Sequence, residues 1–269
     1  MNARSVVRFF YFLLRNLFTG QRFIRLSVNE AGNIYFYDRQ KRRFFNVLSR
    51  NLIDSTTAEQ IFTRHDYGFA FMPRAAELRA HYERCVAQGK PVLIIDCGAN
   101  IGLAARYFAE EYEKAQIVAV ELNAENCAMI EKNCGHLGNV TILNKAIGSS
   151  GGFASIADEN ADSNAFQAKR DSSGGEIEII TIGQILESYP GAEFFIGKID
   201  IEGFERDLFQ ENTGWVDQTC VLIVETHDWM LPGEASSANF LKAISGKDRD
   251  FIINGENVFS ISNSHIYCC

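Results

Sequence analysis

Residues 91–102 read PVLIIDCGANIG, and this stretch leaves the chain few choices of fold. Four consecutive apolar residues, Val92 to Ile95, follow a proline and precede an acidic residue and a glycine. An unbroken apolar run of that length suits a strand buried on both faces, as in a parallel sheet covered by helices. From Ile101 to Tyr112 the run IGLAARYFAEEY brings Leu103, Tyr107 and Phe108 to helical spacing. The unit is strand, tight turn, helix, which aims backbone N–H groups and a helix N-terminus at a ligand above the strand ends.

The glycine positions bear on the ligand. A dinucleotide cradle needs G-x-G-x-x-G, whose second glycine lets the backbone approach a pyrophosphate. Here Gly98, Asn100 and Gly102 stand in the turn, and the Asn100 side chain crowds that approach. S-adenosylmethionine carries no pyrophosphate, and Asp96, Gly98 and Asn100 suit its amino-acid end better. An apolar strand ending in Asp-x-Gly is also an ordinary turn of α/β proteins. A second strand, QIVAVE, ends on Glu121, 25 residues after Asp96. An acidic side chain there can accept hydrogen bonds from both ribose hydroxyls, a feature that nicotinamide cofactors share.

Charge divides the chain. Residues 1–50 carry ten Lys or Arg against two acidic residues, a local charge of +8, and the remainder carries 16 basic against 32 acidic residues, −16. So acidic a remainder speaks against a broad nucleic-acid-binding face. Arg4, Arg8, Arg15 and Arg22 fall within roughly 40° of one another on a helical wheel, opposite Phe10, Leu13, Leu14 and Leu17. Residues 4–25 therefore read as a basic amphipathic helix suited to an anionic membrane surface, or to docking on the protein's own core. The arginines interrupt the run too often for a membrane span or secretory leader. Seven cysteines, odd in number and without C-x-x-C, read as free thiols of a reducing, cytoplasmic compartment. The Cys268-Cys269 pair reads as a frayed tail, with lipidation or redox use as the alternative.

Three segments follow: 1–50 as basic helix and hairpin, 51–90 as a helical cap over the site, and 91–269 as the cofactor-binding domain. Phe23 to Val28 and Asn33 to Asp38 alternate about a turn. Thr56 and Glu59 read as a capping box that starts a helix before QIFTRHDY. Pro73 opens a helix to about Gln88, closed by Gly89. Beyond Glu121 come a helix from Ala124 to Leu137, a strand from Val140 to Leu143 and an exit loop at Asn144-Lys145-Ala146. A strand is expected from Phe153 to Ala157, Asp158 to Gly175 reads as a mobile polar loop, Glu178 to Ile182 as extended and Gln184 to Ser188 as helical. Phe194 to Ile199 and Val221 to Val224 read as strands, ending in KIDIEGFE and ETHD. Phe251 to Ile253 and Val258 to Ile261 suit an antiparallel hairpin at the sheet edge.

The runs IIDCGANIG, VAVELNAEN, LNKAIG, KIDIEGFE and IVETH, in this order across residues 92–227, resemble the FkbM family of S-adenosylmethionine-dependent methyltransferases. The resemblance implies a class I methyltransferase-like α/β fold: a Rossmann-like, seven-stranded, mostly parallel sheet with one antiparallel strand and helices on both faces. It implies that Asp96, Gly98 and Asn100 hold the methionine portion, Glu121 the ribose, and Asn144 to Ala146 the adenine edge, with Gly102 in the same turn. Asp200 would then sit beside the sulfonium and the acceptor. The family's usual activity, O-methylation, implies a small-molecule or glycan hydroxyl as acceptor, lipid-linked if the first helix meets a membrane.

Methyl transfer needs no acid for the leaving group, because the sulfonium loses its charge. An alcohol acceptor still has to lose a proton, and a positioned base contributes about 10²–10⁴-fold. His227 is the expected base, with Glu225 as its orienter or substitute and Asp200 as another candidate. A polar residue satisfied at a strand end is the bland reading of His227. Glu202 and Glu205 read as solvated acids at a helix start. No metal is assigned, since ligand geometry is not legible in spacing. A nicotinamide-dependent oxidoreductase and a non-catalytic nucleoside-binding module are the rivals.

Overall fold

The computed structural model describes residues 21–29, 31–156, 168–171 and 174–264. The expected basic helix over residues 4–25 lies outside the described residues for all but its last few positions. Cys268, Cys269 and most of the 158–175 loop also lie outside them. The chain divides into two units, Met1–Gly68 and Phe69–Cys269.

In the first unit β1 (Phe23–Val28), β2 (Asn33–Asp38) and β3 (Arg43–Leu48) form an antiparallel meander. The hairpin stands at its expected bounds, and the third strand is an addition to the sequence reading. Phe23, Phe36 and Phe45 meet Phe62 at ring separations of 4.9–5.5 Å. Helix α1 (Leu52–Glu59) corrects the expected capping box. Asn51 is the N-cap, accepting from Asp54 N at 2.9 Å, while the Thr56 hydroxyl donates back to Leu52 O and Glu59 pairs with Arg25 at 2.6 Å. Asn51 outcompetes Thr56 because its extended backbone leaves its side chain free to reach the first turn. A π-helical turn, Gln60–Arg64, continues the helix.

The second unit opens with α2 (Ala75–Ala87), stopped by Gly89 at φ +71°. Then follow β4 (Val92–Cys97), α3 (Leu103–Glu111), β5 (Ala115–Glu121), α4 (Ala124–Cys134) and β6 (Val140–Asn144). Four short strands come next: β7 (Ala146–Ile147), β8 (Gly152–Ile156), β9 (Ala168–Arg170) and β10 (Ile177–Ile180). After α5 (Ile182–Ser188) come β11 (Glu193–Ile199), α6 (Glu205–Leu208), β12 (Thr219–Glu225), α7 (Ala238–Ile244), β13 (Arg249–Asn254) and β14 (Asn257–Ser262).

The main sheet runs β13-β14-β12-β11-β4-β5-β6. β11 pairs parallel with both β12 and β4, and β5 pairs parallel with both β4 and β6. β14 is antiparallel to its two neighbours. The expected seven-stranded, mostly parallel sheet with one antiparallel strand and an edge hairpin is what the chain forms. β4 and β11 are buried along their whole length, Glu193 and Lys198 included. The chain winds from β4 outward through β5 to β6, then returns to β11 on the other side. That reversal opens a crevice beyond the carboxyl ends of β4 and β11, where open α/β sheets bind ligands. The short strands make a second sheet, β7-β10-β8-β9, against the same end of β6. Helix α2 meets the opposite end, His81 contacting Glu193 at the start of β11. No helix among the described residues is long and apolar enough to cross a membrane.

Candidate active site

The cleft at the reversal encloses about 550 Å³, its open mouth included, and is lined by Gly98, Asn100, Glu121, Ala146, Asp200 and Phe204, among others. Of the residues expected to hold a cofactor, Gly98, Asn100, Glu121 and Ala146 face it. Asp96, Gly102 and Asn144 are not among its lining residues.

Gly98 is required by close approach. Its φ is +77°, and a Cβ there would stand 1.8 Å from the carbonyl oxygen of Asp200. Gly102 serves helix packing: at φ +82°, a Cβ would press on Ile130 and Cys134 of α4 at 3.0 and 3.2 Å. Asn100 also takes the left-handed conformation, φ +48°, which turns its N–H onto Glu121 Oε2 at 2.9 Å. Glu121 Oε1 accepts from Asn123 N at 2.9 Å and from Asn126 Nδ2 at 3.3 Å. The carboxylate at the end of β5 is thereby fixed, with lone pairs left for a ligand. Burial raises its pKa, and these donors oppose the rise. Asn144 donates to Glu121 O at 3.0 Å and to Leu122 O at 2.9 Å, so its side chain holds the rim in shape.

Under the cleft lies a charge that sequence reasoning noted without giving it a role. Lys198 is 3% exposed. Its Nζ donates to Gly98 O at 2.8 Å and lies 3.2 Å from both Asp96 Oδ1 and Asp200 Oδ2. Strand register sets Lys198 directly beside Asp96. Asp96 is fully buried, and neither of its oxygens makes a well-formed hydrogen bond. Burial raises its pKa, with Lys198 the main opposing influence. A lysine inside an otherwise apolar strand was the available signal for this arrangement.

The three expected catalytic residues come together. His227 is 1% exposed. Its Nε2 lies 3.6 Å from Asp200 Oδ1, 3.8 Å from Glu225 Oε1 and 3.5 Å from Glu202 Oε2. Its Nδ1 lies 3.1 Å from Glu205 Oε1, a close but poorly aligned contact. Glu205 is 2% exposed in its side chain and accepts from Ile201 N at 2.9 Å and Gly203 N at 2.8 Å. This corrects the reading of Glu205 as a solvated helix-start acid. The turn folds its side chain back on the preceding N–H groups, a contact that helix position alone does not reveal.

Electrostatics follow from the crowding. Burial and the Asp200 charge push Glu202 up to about 7 and Glu225 up to about 8. Burial alone would lower His227, but Glu205, Asp200 and Glu202 outweigh it and raise the imidazole to about 9. At neutral pH His227 therefore carries a proton in this arrangement, and Glu225 becomes an ionised base only as the pH approaches 8. Glu202, at φ +55°, holds a left-handed conformation that costs about 1–3 kcal/mol and clusters at functional sites.

A doubly wound sheet with an acidic residue at the end of β5 and a carboxylate–imidazole cluster at the ends of β11 and β12 suits an enzyme that binds a nucleoside cofactor. The sequence profile of the Methyltransferase FkbM domain matches residues 96–253, and the chain belongs to that family. Its cofactor is S-adenosylmethionine. No curated protein matches the sequence. Among solved structures, precorrin-6y C5,15-methyltransferase of Geobacter metallireducens is 12% identical, with 71% of this chain and 89% of that chain covered and a TM-score of 0.36. WbdD is 12% identical over 81% of this chain and 43% of its own, TM-score 0.43. The plantazolicin methyltransferase BpumL, solved with SAH, is 10% identical over 75% and 82%, TM-score 0.32.

Proposed function

We propose that this methyltransferase acts on oxygen, methylating a hydroxyl of a small molecule or glycan. The observation that carries the reading is the cluster of buried His227 with half-buried Asp200 and Glu225 at the edge of the cleft. Nitrogen and sulfur acceptors are nucleophilic near neutral pH, whereas an alcohol needs a base.

The chain's residues fit the cofactor. Glu121 presents a fixed carboxylate for the ribose hydroxyls, Gly98 and Asn100 shape the wall for the methionine portion, and Ala146 with Lys145 borders the adenine edge. When bound, S-adenosylmethionine supplies an electrophilic methyl group on a sulfonium. Asp200 and the cluster behind it would position the acceptor oxygen toward the methyl group, and such positioning supplies most of the acceleration. The acceptor's proton passes to the cluster, with Glu225 as base in the ionised form it reaches near pH 8 and His227 as the opposing cation beside it. Bound there, the cofactor would supply the methyl group for a new carbon–oxygen bond, with sulfur taking the electron pair of the bond given up.

Calorimetric titration with S-adenosylhomocysteine, beside NADH, tests the cofactor site. Micromolar binding of the first ligand alone is expected, weakened at least tenfold in Glu121→Ala. Transfer of labelled methyl to a panel of alcohols and saccharides tests the reaction. Asp200→Ala is expected to lower transfer by at least 10²-fold while S-adenosylhomocysteine affinity stays within a few-fold. Equal turnover by Asp200→Ala and parent would sink the assignment. The basic pattern of residues 4–25 supports a lipid-linked saccharide as acceptor. Deleting residues 1–22 should then abolish co-sedimentation with anionic liposomes.

A further inference from the structure

Methyl transfer alone does not account for the spacing around His227. The side chain is almost wholly buried, and its Nδ1 meets Glu205 Oε1 at 3.1 Å in a poorly aligned contact. Its Nε2 faces oxygens of Glu202, Asp200 and Glu225 at 3.5, 3.6 and 3.8 Å. Hydrogen bonds to a carboxylate are shorter, about 2.7–3.2 Å. Ligands placed about 2.1 Å from a tetrahedral cation stand about 3.4 Å from one another. The facing atoms of Asp200, Glu202 and His227 all lie within 4.8 Å of each other, as a common cation requires.

The chain contains its own contrast. His81, Cys85 and Glu193 also bring ligand-type atoms within 4.8 Å, but that group has closed into hydrogen bonds. His81 Nε2 is 2.8 Å from Glu193 Oε1, which also accepts from Cys220 Sγ at 2.9 Å. Around His227 the groups stand apart. Asp200, Glu202, Glu205 and Glu225 place four carboxylates there, and among the described residues Lys198 and the imidazole stand against them.

We propose that Asp200, Glu202 and His227 Nε2 bind a divalent cation. Imidazole with carboxylates suits Mn²⁺ or Zn²⁺ better than all-oxygen Mg²⁺ or Ca²⁺. The cation displaces the proton from Nε2, and the Glu205 contact at Nδ1 then orients the ring from behind, as outer partners of ligating histidines do. The cation's task rests on the methyl-transfer reading: it holds the acceptor oxygen and lowers the pKa of its hydroxyl. Its binding does not depend on that reading.

The test uses full-length protein stripped with chelator, titrated at pH 8 with Mn²⁺ by electron paramagnetic resonance and with Zn²⁺ by calorimetry. S-adenosylhomocysteine is titrated in parallel. One cation per chain is expected, weakened at least tenfold in His227→Ala and in Glu202→Gln, with S-adenosylhomocysteine affinity within threefold of the parent. Glu202→Gln keeps shape and charge-neutral polarity, so its circular dichroism should match the parent even if His227→Ala loses structure. Failure of both metals to bind a parent that binds S-adenosylhomocysteine would overturn the proposal, as would equal metal affinity in parent and Glu202→Gln. Failure of S-adenosylhomocysteine to bind while the cation binds as expected would instead remove the methyl-transfer reading and leave the metal site standing.

Discussion

Lys198 is the single side chain on which most of the site leans. It lies 3.2 Å from Asp96 and Asp200 and bonds to the Gly98 carbonyl, so it links the turn after β4 to the loop after β11. Removing one member of a buried ion pair leaves an uncompensated charge and costs about 3–5 kcal/mol. Lys198→Met should therefore lower stability by about that much in urea unfolding, and the double variant Asp96→Asn with Lys198→Met should recover a large part of it. A loss under about 1 kcal/mol in the single variant would mean that the pair contributes nothing at its buried position. At this scale the sequence was legible where chemistry is local. Asp96, Glu121 and Asp200 were found because each ends an apolar run. Glu205 was misread because its partners, two backbone N–H groups and His227, are chosen by the fold of a turn.

Among the elements, the edge hairpin is tied in by an unexpected residue. Arg249, 8% exposed, opens β13 and donates to the carbonyls of Val216, Thr219, Cys220 and Ser260 and to the Ser260 hydroxyl. Burial lowers its pKa to about 10, a measure of how fully it has left water. Arg249→Leu strands several buried carbonyls, each costing about 1–3 kcal/mol when unsatisfied. Amide exchange in β13 and β14 should quicken at least tenfold, while β4 and β5 keep their protection. The long parallel strands were legible because each is apolar and ends in turn residues. The second sheet was legible only at β8 and β10. Three-residue β9 carries no periodicity to read, and its anchorage is tertiary: Arg170 grips Asp207 through two nitrogens, and the same carboxylate accepts from Ser149 N at 3.1 Å. At α1 the capping box was a valid local pattern that lost to Asn51.

For the molecule as a whole, the cluster sets a pH dependence with a definite sign. Glu202 and Glu225 have folded pKa values near 7 and 8, above an ordinary 4.5, and His227 stands near 9, above 6.5. In all three the folded state binds protons more tightly than the unfolded chain. Their contribution is fully present below the unfolded values and is lost as pH rises through the folded ones. Without added metal, the melting temperature should fall between about pH 5 and pH 9, in the windows 4.5–8 for the acids and 6.5–9 for His227. Glu225→Gln should flatten the curve, and an unchanged slope in that variant would assign the dependence elsewhere. Sheet topology at this scale was legible through motif order, since strand, turn and acidic residue recur in the sequence of a doubly wound fold. The division after Gly68 was not, because no run of glycine, proline or serine marks it.

The missing side chain of Gly98 is filled by the backbone of Asp200. The turn that lines the cleft and the loop that carries Asp200 are therefore cast against each other, like two pieces of one mould. Swapping either loop alone from a relative would leave a mismatch of atomic size at the seam. Change of acceptor by recombination must then carry both segments together. The alternative is to leave residues 98–102 and 200–205 untouched and vary the 228–236 stretch, whose Trp229 projects from the surface.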